Sequence, residues 1–585
     1  MRFSVPVLIA IAFLGVSAAC SQQRSARSES AAPGAVAAPP PAAADLALRG
    51  GAVYTLDATR SWAHAVAIRA GRIVYVGTDR GLEPFLGEKT RIVDLGGRML
   101  LPSFQDAHIH SISGGLRALS CELGGLRSAE AYGQAVADYA AAHPDEAWIR
   151  GGGWQMSAFP GAIPDRRLLD AIVPDRPVYL RSTDGHSAWV NSKALEIAGI
   201  TRETPDPKDG RIDRDPKTGE AVGALQEGAM DLVEKKIPPP TLEQRADALR
   251  YTLRMLNGFG ITAFQDASAR WDRGDLATFA FLDERGELSA RVIASQWWER
   301  ERGLEQLEEL VARRAQFTRG RLRATSVKIM QDGVMENHTA VLLEPYVGLP
   351  GVRGIPMLEP EALERAVTAL DREGFQVHFH AIGDGAIRQS LDAVEAARAA
   401  NGDRGNRHHI SHIQLFHPDD IPRFRELDVV ANFQPLWAYA DEYITELTLP
   451  FLEPERARYI YPIASLERSG AVLAFGSDWS VSSANPFEEI ETAVTRMGAN
   501  GETDAPYLPE ERIDLPVALA AFTMGSAYVN FLERETGSIE VGKSADLIVL
   551  DRDLFSIAPT QISETRVLLT LLEGKPVHGS LSLTP

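Results

Sequence analysis

At 585 residues the chain is long enough to bury a large core and to hold more than one domain. Hydrophobic residues at 45% and charged residues at 24% are ordinary for a globular protein. A net charge of −19 argues against a nucleic-acid ligand, because phosphate binding needs clustered Lys and Arg, and it leaves a soluble acidic enzyme as the plain reading.

The first twenty residues differ in kind. Arg2 precedes an apolar run over residues 5–16, then small residues and Cys20. That is a secretory signal, too short to span a membrane comfortably. Ser17-Ala18-Ala19-Cys20 resembles a bacterial lipobox, with Ser17 where Leu is usual. Cys20 is then lipidated and becomes the mature N-terminus, and Ser21 after it points to the outer membrane; plain secretion is the alternative. The expected address is an exported lipoprotein of the outer membrane or periplasm, touching the membrane only through the lipid on Cys20. Residues 21–45, rich in Ser, Ala and Pro without a hydrophobic period, read as a flexible tether. The mature chain adds only Cys121, so no internal disulfide forms; that thiol reads as a small buried hydrophobe.

From residue 46 to 101 short strands alternate with Gly turns, as in residues 52–56, 65–68 and 72–76. The end of the chain has the same character, with strands over residues 545–550 and 567–572. The two β segments, residues 46–101 and 534–585, are expected to pair into one small sandwich. Between them, over residues 102–533, short apolar strands alternate with amphipathic helices such as 242–257, 360–373 and 386–400. That alternation predicts βα units around a parallel sheet. Its length exceeds a minimal (β/α)8 barrel, so an insertion is expected over about residues 115–240, where alternation weakens and Gly, Pro and polar residues dominate.

Asp106-Ala107-His108-Ile109-His110 follows the apolar stretch Met99-Leu100-Leu101-Pro102. If that stretch is a strand, His108 and His110 share one face, about 7 Å apart, and converge on one cation. His-x-His alone is a weak signal, and the other residues strengthen it. Lys328 sits inside the apolar strand Ser326-Val327-Lys328-Ile329-Met330, where a buried cation asks for a partner such as Asp332. His380, His412 and Asp478 each lie at or near the C-terminal end of a predicted strand, the end where barrel enzymes gather their catalytic residues. His378, His408 and His409 read as supporting or structural histidines.

In order along the chain these residues carry a resemblance. The segments are residues 101–110 around His108 and His110; Gly151-Gly152-Gly153-Trp154; Asp184-Gly185-His186-Ser187-Ala188-Trp189-Val190-Asn191; Gly223-Ala224-Leu225-Gln226-Glu227; Lys328 through Asp332-Gly333; His380-Ala381-Ile382-Gly383-Asp384; Gln434-Pro435; Gly476-Ser477-Asp478-Trp479; and residues 537–547. Each is weak and their order is specific. Over roughly residues 46–555 the chain resembles the amidohydrolase superfamily, in its YtcJ-like branch (amidohydrolase family 3), which includes N-substituted formamide deformylases. The resemblance implies a (β/α)8 barrel with a flanking β-sandwich. It implies that His108 and His110 bind the more buried metal and that Lys328, carboxylated by CO2, bridges two ions. His380 and His412 would bind the second ion, and Asp478 would bind metal and move protons. Trp154, His186, Asn191 and Glu227 match family motifs and are expected to line the substrate pocket, with core packing the alternative for Trp154, a loop-ordering role for His186 and Asn191, and a solvated helix start for Glu227. Three positions depart: Ser103 replaces a usual Gly and is expected to alter only the turn, Ser411 stands where Glu is common, and Ser480 where Pro is frequent.

The chemistry implied is hydrolysis of a C–N bond in an amide, formamide or cyclic amide by metal-activated hydroxide, with two Zn2+ as the expected ions. The same site would serve an ester, lactone or phosphoester, and an inactive lipoprotein that binds a small molecule is the reading from another class. The partner is a small molecule, whose identity the sequence does not give. Oligomeric state is left open.

Overall fold

The computed structural model describes residues 41–503 and 505–583. The expected signal peptide and lipobox, and the expected tether up to residue 40, lie outside the described residues. The end of that tether is already folded: Ala44 is buried and its N–H donates to the Phe85 carbonyl at 2.8 Å.

The two chain ends build two sheets. One has the order Arg72–Gly77, Ala65–Arg69, Leu46–Arg49, Arg91–Asp94. The other runs Lys575–Gly579, Val567–Leu572, Leu547–Leu550, Met99–Pro102, Ala52–Tyr54, Trp62–Ala63. Their facing side chains form one core, in which Leu48, Val66 and Val93 meet Leu100, Val549 and Leu569. Distant segments pair directly here, with Ile548 opposite Leu101 in an antiparallel ladder.

This arrangement corrects one expectation. Met99–Pro102 is a strand of the sandwich and does not carry the histidine pair. A separate strand, Phe104–Ile109, carries it. Ser103 stands at the switch between sheets. It is fully buried, donates its N–H to the Asp546 carbonyl at 2.9 Å, and its hydroxyl lies 2.5 Å from that of Thr262. Ser103 therefore joins sandwich to barrel as well as shaping a turn.

The barrel strands are β1 (Phe104–Ile109), β2 (Ile261–Ala269), β3 (Arg291–Trp297), β4 (Leu322–Met330), β5 (Gln376–Ala381), β6 (His409–His412), β7 (Val430–Phe433) and β8 (Leu473–Phe475). They pair in parallel in that order. Every residue of β1, β5 and β6 is buried, as expected for parallel strands covered on both faces. The expected helices appear as Leu242–Gly258, Pro360–Arg372 and Asp384–Asn401. The first starts at Thr241, whose side chain and that of Gln244 form a capping box. The eight-stranded sheet is nearly closed. Past β8 the Asp478 N–H donates to the His108 carbonyl at 2.7 Å, and the His110 N–H to the Trp479 carbonyl at 2.8 Å.

The insertion is more ordered than its composition suggests. It holds a six-stranded sheet in the order Gly210–Arg214, Ala221–Glu227, Ser187–Val190, Val178–Ser182, Ile149–Trp154, Cys121–Glu122, with its own core around Tyr132, Trp154, Leu180 and Trp189. Its glycines permit close strand approach. A Cβ on Gly151 would lie 2.0 Å from the Cys121 carbonyl oxygen, and one on Gly152 2.4 Å from that of Arg181. These glycines are thus required by the sheet. Cys121 is buried at the sheet edge, and burial pushes its thiol up to about 12, away from nucleophilic use.

Candidate metal centre

The sheet's closing seam builds the tightest part of the site. Asp478 Oδ1 lies 3.0 Å from His110 Nε2 and 3.4 Å from His108 Nε2. One donor atom from each of the three lies within 4.8 Å of the others. Asp106, two residues before His108, is not in this group. Its carboxylate accepts the Ser477 hydroxyl at 2.5 Å and the N–H groups of His108 and Ser477 at 3.0 and 3.1 Å, clamping β1 to the segment that carries Asp478. Asp478 itself has φ of +51°, a left-handed backbone that this clamp and the bond to the His108 carbonyl hold in place.

The remaining expected ligands surround the triad at the C-terminal end of the barrel. His412 Nδ1 lies 3.9 Å from Asp478 Oδ2, and its ring is 4.7 Å from that of His108. His380 stands behind His412, with ring centroids 4.4 Å apart, and its Nε2 donates to the Gly333 carbonyl at 3.2 Å. Lys328 is 1% exposed, and burial pushes its amine down to about 7 against the pull of Asp478. It does not pair with Asp332, whose carboxylate accepts the N–H groups of Val341, Ile382 and Gly383 at 2.9 to 3.0 Å.

The donor set fits a divalent cation. His108 Nε2, His412 Nδ1, Lys328 Nζ and Asp478 Oδ1 are all buried without a hydrogen-bond partner among the described residues. Buried polar atoms are rarely left in that condition, and here they share one place. Burial, reinforced by neighbouring cationic groups, pushes His108, His380 and His412 well below their usual range, so the imidazoles are neutral, the form that ligates metal.

Outside the ligands, His108 Nδ1 lies 2.8 Å from the Ser411 hydroxyl and 2.9 Å from His378 Nε2. His378 continues to the Ser295 hydroxyl at 3.1 Å, while His110 Nδ1 meets the Ser268 hydroxyl at 3.0 Å. Ser411, standing where Glu is common, thus still orients a ligand. We expect Ser411→Ala to lower zinc affinity by about 10-fold or more, measured by competition with a chelating dye. His408, against Asp371 at 3.1 Å, and His409, against Asn432 at 3.2 Å, are structural.

A cavity of about 1140 Å3 opens above the centre and reaches into the insertion. His186 and Glu227 line it as expected, joined at 3.0 Å with the His186 ring 5.3 Å from that of His380. Trp154 and Asn191 are not brought to it. Trp154 is fully buried against Phe159 and Trp189 and donates to the Leu180 carbonyl at 2.8 Å. Asn191 is fully buried, caps a helix by accepting the Ala194 N–H, and braces the carbonyls of Val173 and Arg176. A large apolar ring and a capping amide meet strong packing demands in a small sheet, and those demands place them. Asn191→Ala is therefore expected to destabilise the insertion by about 2 kcal/mol while leaving KM unchanged, read by thermal denaturation beside steady-state kinetics. Sequence reasoning missed Trp437, which stacks on His412 at 5.5 Å and 13° and lines the cavity. Nothing local marks it, because the contact joins the loop after β7 to the end of β6. The braces Asp106 and Asp332 do carry a signal: each sits two to four residues from a ligand.

The comparisons agree with this geometry. A model of the amidohydrolase family matches residues 91–578. The YtcJ protein of Bacillus subtilis (strain 168) is 30% identical over 90% of this chain and 98% of its own length. An N-substituted formamide deformylase of Arthrobacter pascens is 26% identical over 91% of this chain and 97% of its own. The crystal structure of an uncharacterized metal-dependent hydrolase from Pyrococcus horikoshii OT3 superposes with a TM-score of 0.69 at 27% identity, covering 91% of this chain and 100% of that one. With the family matched across the barrel and a candidate His/Asp metal site at its open end, the chain belongs to the amidohydrolase family and is a hydrolase.

Proposed function

We propose that the chain hydrolyses a C–N bond in a small amide, formamide or cyclic amide, using two divalent ions. The convergence of His108, His110 and Asp478 on one point carries the reading. Imidazole and carboxylate donors suit Zn2+, and the deformylase relative supports the bond type. Held by His108, His110, His380, His412 and Asp478, with Lys328 between, such ions would lower the pKa of water and polarise the substrate carbonyl. Lys328 supports the binuclear form. Its amine, pushed down to about 7, is neutral in substantial part at physiological pH, and a neutral amine adds to CO2 with release of one proton to solvent to give an anionic carbamate.

Asp478 is the proton carrier. Burial alone would raise its carboxyl, and the contacts from His108 and His110 outweigh that and hold it well below the usual carboxylate range. Its Oδ atoms accept a proton from the attacking water and return it to the departing nitrogen. His186 is a charged group on the cavity wall near the candidate centre. Burial opposes its protonation, and Glu227 and then Asp184 raise it to about 9, so it donates a hydrogen bond at neutral pH. Placed beside His380, it orients the substrate carbonyl oxygen. We further propose that the protein is an exported lipoprotein anchored through Cys20, which radiolabelled fatty acid and a Cys20→Ala variant would test.

Metal analysis of the purified protein, with turnover of a panel of amides and esters before and after chelation, tests the reading. The expected result is two equivalents of metal, amide turnover lost on chelation and regained with Zn2+. Full activity in metal-free protein would overturn it.

A further inference from the structure

Beyond the metal centre one corner of the same cavity is acidic and aromatic. Asp184, Glu336 and Asp441 line it with Trp437, Tyr443 and Tyr461. The three carboxylates come from separate segments: the insertion, the loop after β4 and the loop after β7. Asp184 and Asp441 act on Glu336, all three act on Tyr443, and Glu336 and Asp441 act on Tyr461. Burial, then Asp184 and Asp441, pushes Glu336 up to about 7. After burial, the same carboxylates raise Tyr443, and Glu336 and Asp441 raise Tyr461.

None of the three has a basic partner within 4 Å among the described residues. Asp441 accepts only the Ile444 N–H, at 2.9 Å. Asp184 accepts the Ser182 hydroxyl and, at 3.0 Å, the His186 N–H through one oxygen, and its other oxygen is buried and unpartnered. Tyr461 gives an independent sign. It is 3% exposed yet lines the cavity, and no described residue hydrogen-bonds its hydroxyl. Of the nearby cations, His186 faces Glu227, Arg117 lies 3.4 Å from Glu122, Arg181 donates to the Gly185 carbonyl at 2.8 Å, and Arg127 donates to Gln155 at 3.0 Å and lies 3.9 Å from Glu502. Arg496, behind Tyr461, is spent on the carbonyls of Tyr507, Tyr461 and Ile460.

Unpaired carboxylates around tyrosine faces suit an organic cation, which gains both Coulomb attraction and contact with the rings. The corner also adjoins the chemistry. Trp437 stacks on His412, and Glu336 follows three residues after Gly333, whose carbonyl holds His380. We infer that this corner binds a positively charged group, an ammonium or guanidinium, on one arm of the substrate, so that the enzyme's substrates are cationic amides. The inference rests on the hydrolase reading for taking this cavity as the substrate site.

Hexylamine, protonated at pH 7.5, and 1-hexanol, its neutral counterpart, would be titrated by calorimetry into the zinc-loaded full-length protein. We expect the ammonium to bind about 10-fold more tightly than the alcohol. Glu336→Gln and Asp441→Asn should each reduce that preference by about 5-fold, with zinc content and circular dichroism unchanged. Asn at 441 keeps the helix cap. Equal affinity for the two probes overturns the inference, as does a preference undiminished in both folded variants. If neither variant folds, the two probes on the natural protein still decide. A zinc-loaded protein that prefers the ammonium but hydrolyses no amide would overturn the hydrolase reading alone. Turnover of neutral amides without any preference would overturn this inference alone.

Discussion

Exchanging Asp478 for Asn will lower kcat/KM by about 1,000-fold or more, together with a loss of bound metal. Asp478 lies 3.4 Å from His108, 3.0 Å from His110 and 3.9 Å from His412. The Asn amide keeps the size and the left-handed backbone preference, so the chain should fold with the same loop. On the proposed mechanism it removes the anionic oxygen that would attract a divalent ion and the base that would take the proton from water. Steady-state kinetics on an amide substrate and metal content by mass spectrometry separate the two losses. If excess Zn2+ restores full occupancy and activity stays low, the proton role stands apart from the ligand role. Activity within tenfold of the natural protein would remove Asp478 from the chemistry.

The largest structural effect should come from Gly476→Ala. Gly476 lies just past β8, against β1 at the closing seam. An added Cβ would lie 2.3 Å from the His108 backbone nitrogen and 2.9 Å from Asp106 Oδ1. Those contacts are too short to keep, and the closest is to backbone, which cannot swing aside as a side chain can. β8 must move outward, carrying Ser477 and Asp478 from Asp106 and His108. The expected cost is about 3 kcal/mol of overpacking strain. It should appear as a lower apparent melting temperature and as zinc bound below stoichiometry, while far-ultraviolet circular dichroism stays near that of the natural protein. Full zinc occupancy with an unchanged melting temperature would show that the seam tolerates displacement, and would weaken the case that closure sets the ligand geometry.

Much of this centre is legible without coordinates. His108, Lys328, His380 and His412 belong to buried strands whose apolar pattern is visible locally, and their order matches a family over most of the chain. The barrel helices are visible for the same reason, since a 3.6-residue period and a capping box at Thr241 are local properties. The pocket wall is less legible. Trp154 and Asn191 share motifs with His186 and Glu227, yet one pair packs a core and the other faces the cavity. A motif records that a residue type is wanted at a position. It does not record which side of a twisted six-stranded sheet that position faces.

What the sequence determined by itself is the candidate donors and the alternation of strands and helices around them, because strand and helix periods are short-range and a buried ionisable side chain stands out against an apolar run. The tertiary structure alone decided how those donors meet. Closure of β8 against β1 brings Asp478 onto His108 and His110 across some 370 residues, through backbone bonds and the Asp106 clamp that no local pattern encodes. It also put the histidine pair on a strand separate from Met99–Pro102, retained Ser411 as the support for His108, and gathered Asp184, Glu336 and Asp441 from three loops around one cavity. These are long-range juxtapositions, fixed by packing and closure and not by neighbours in sequence.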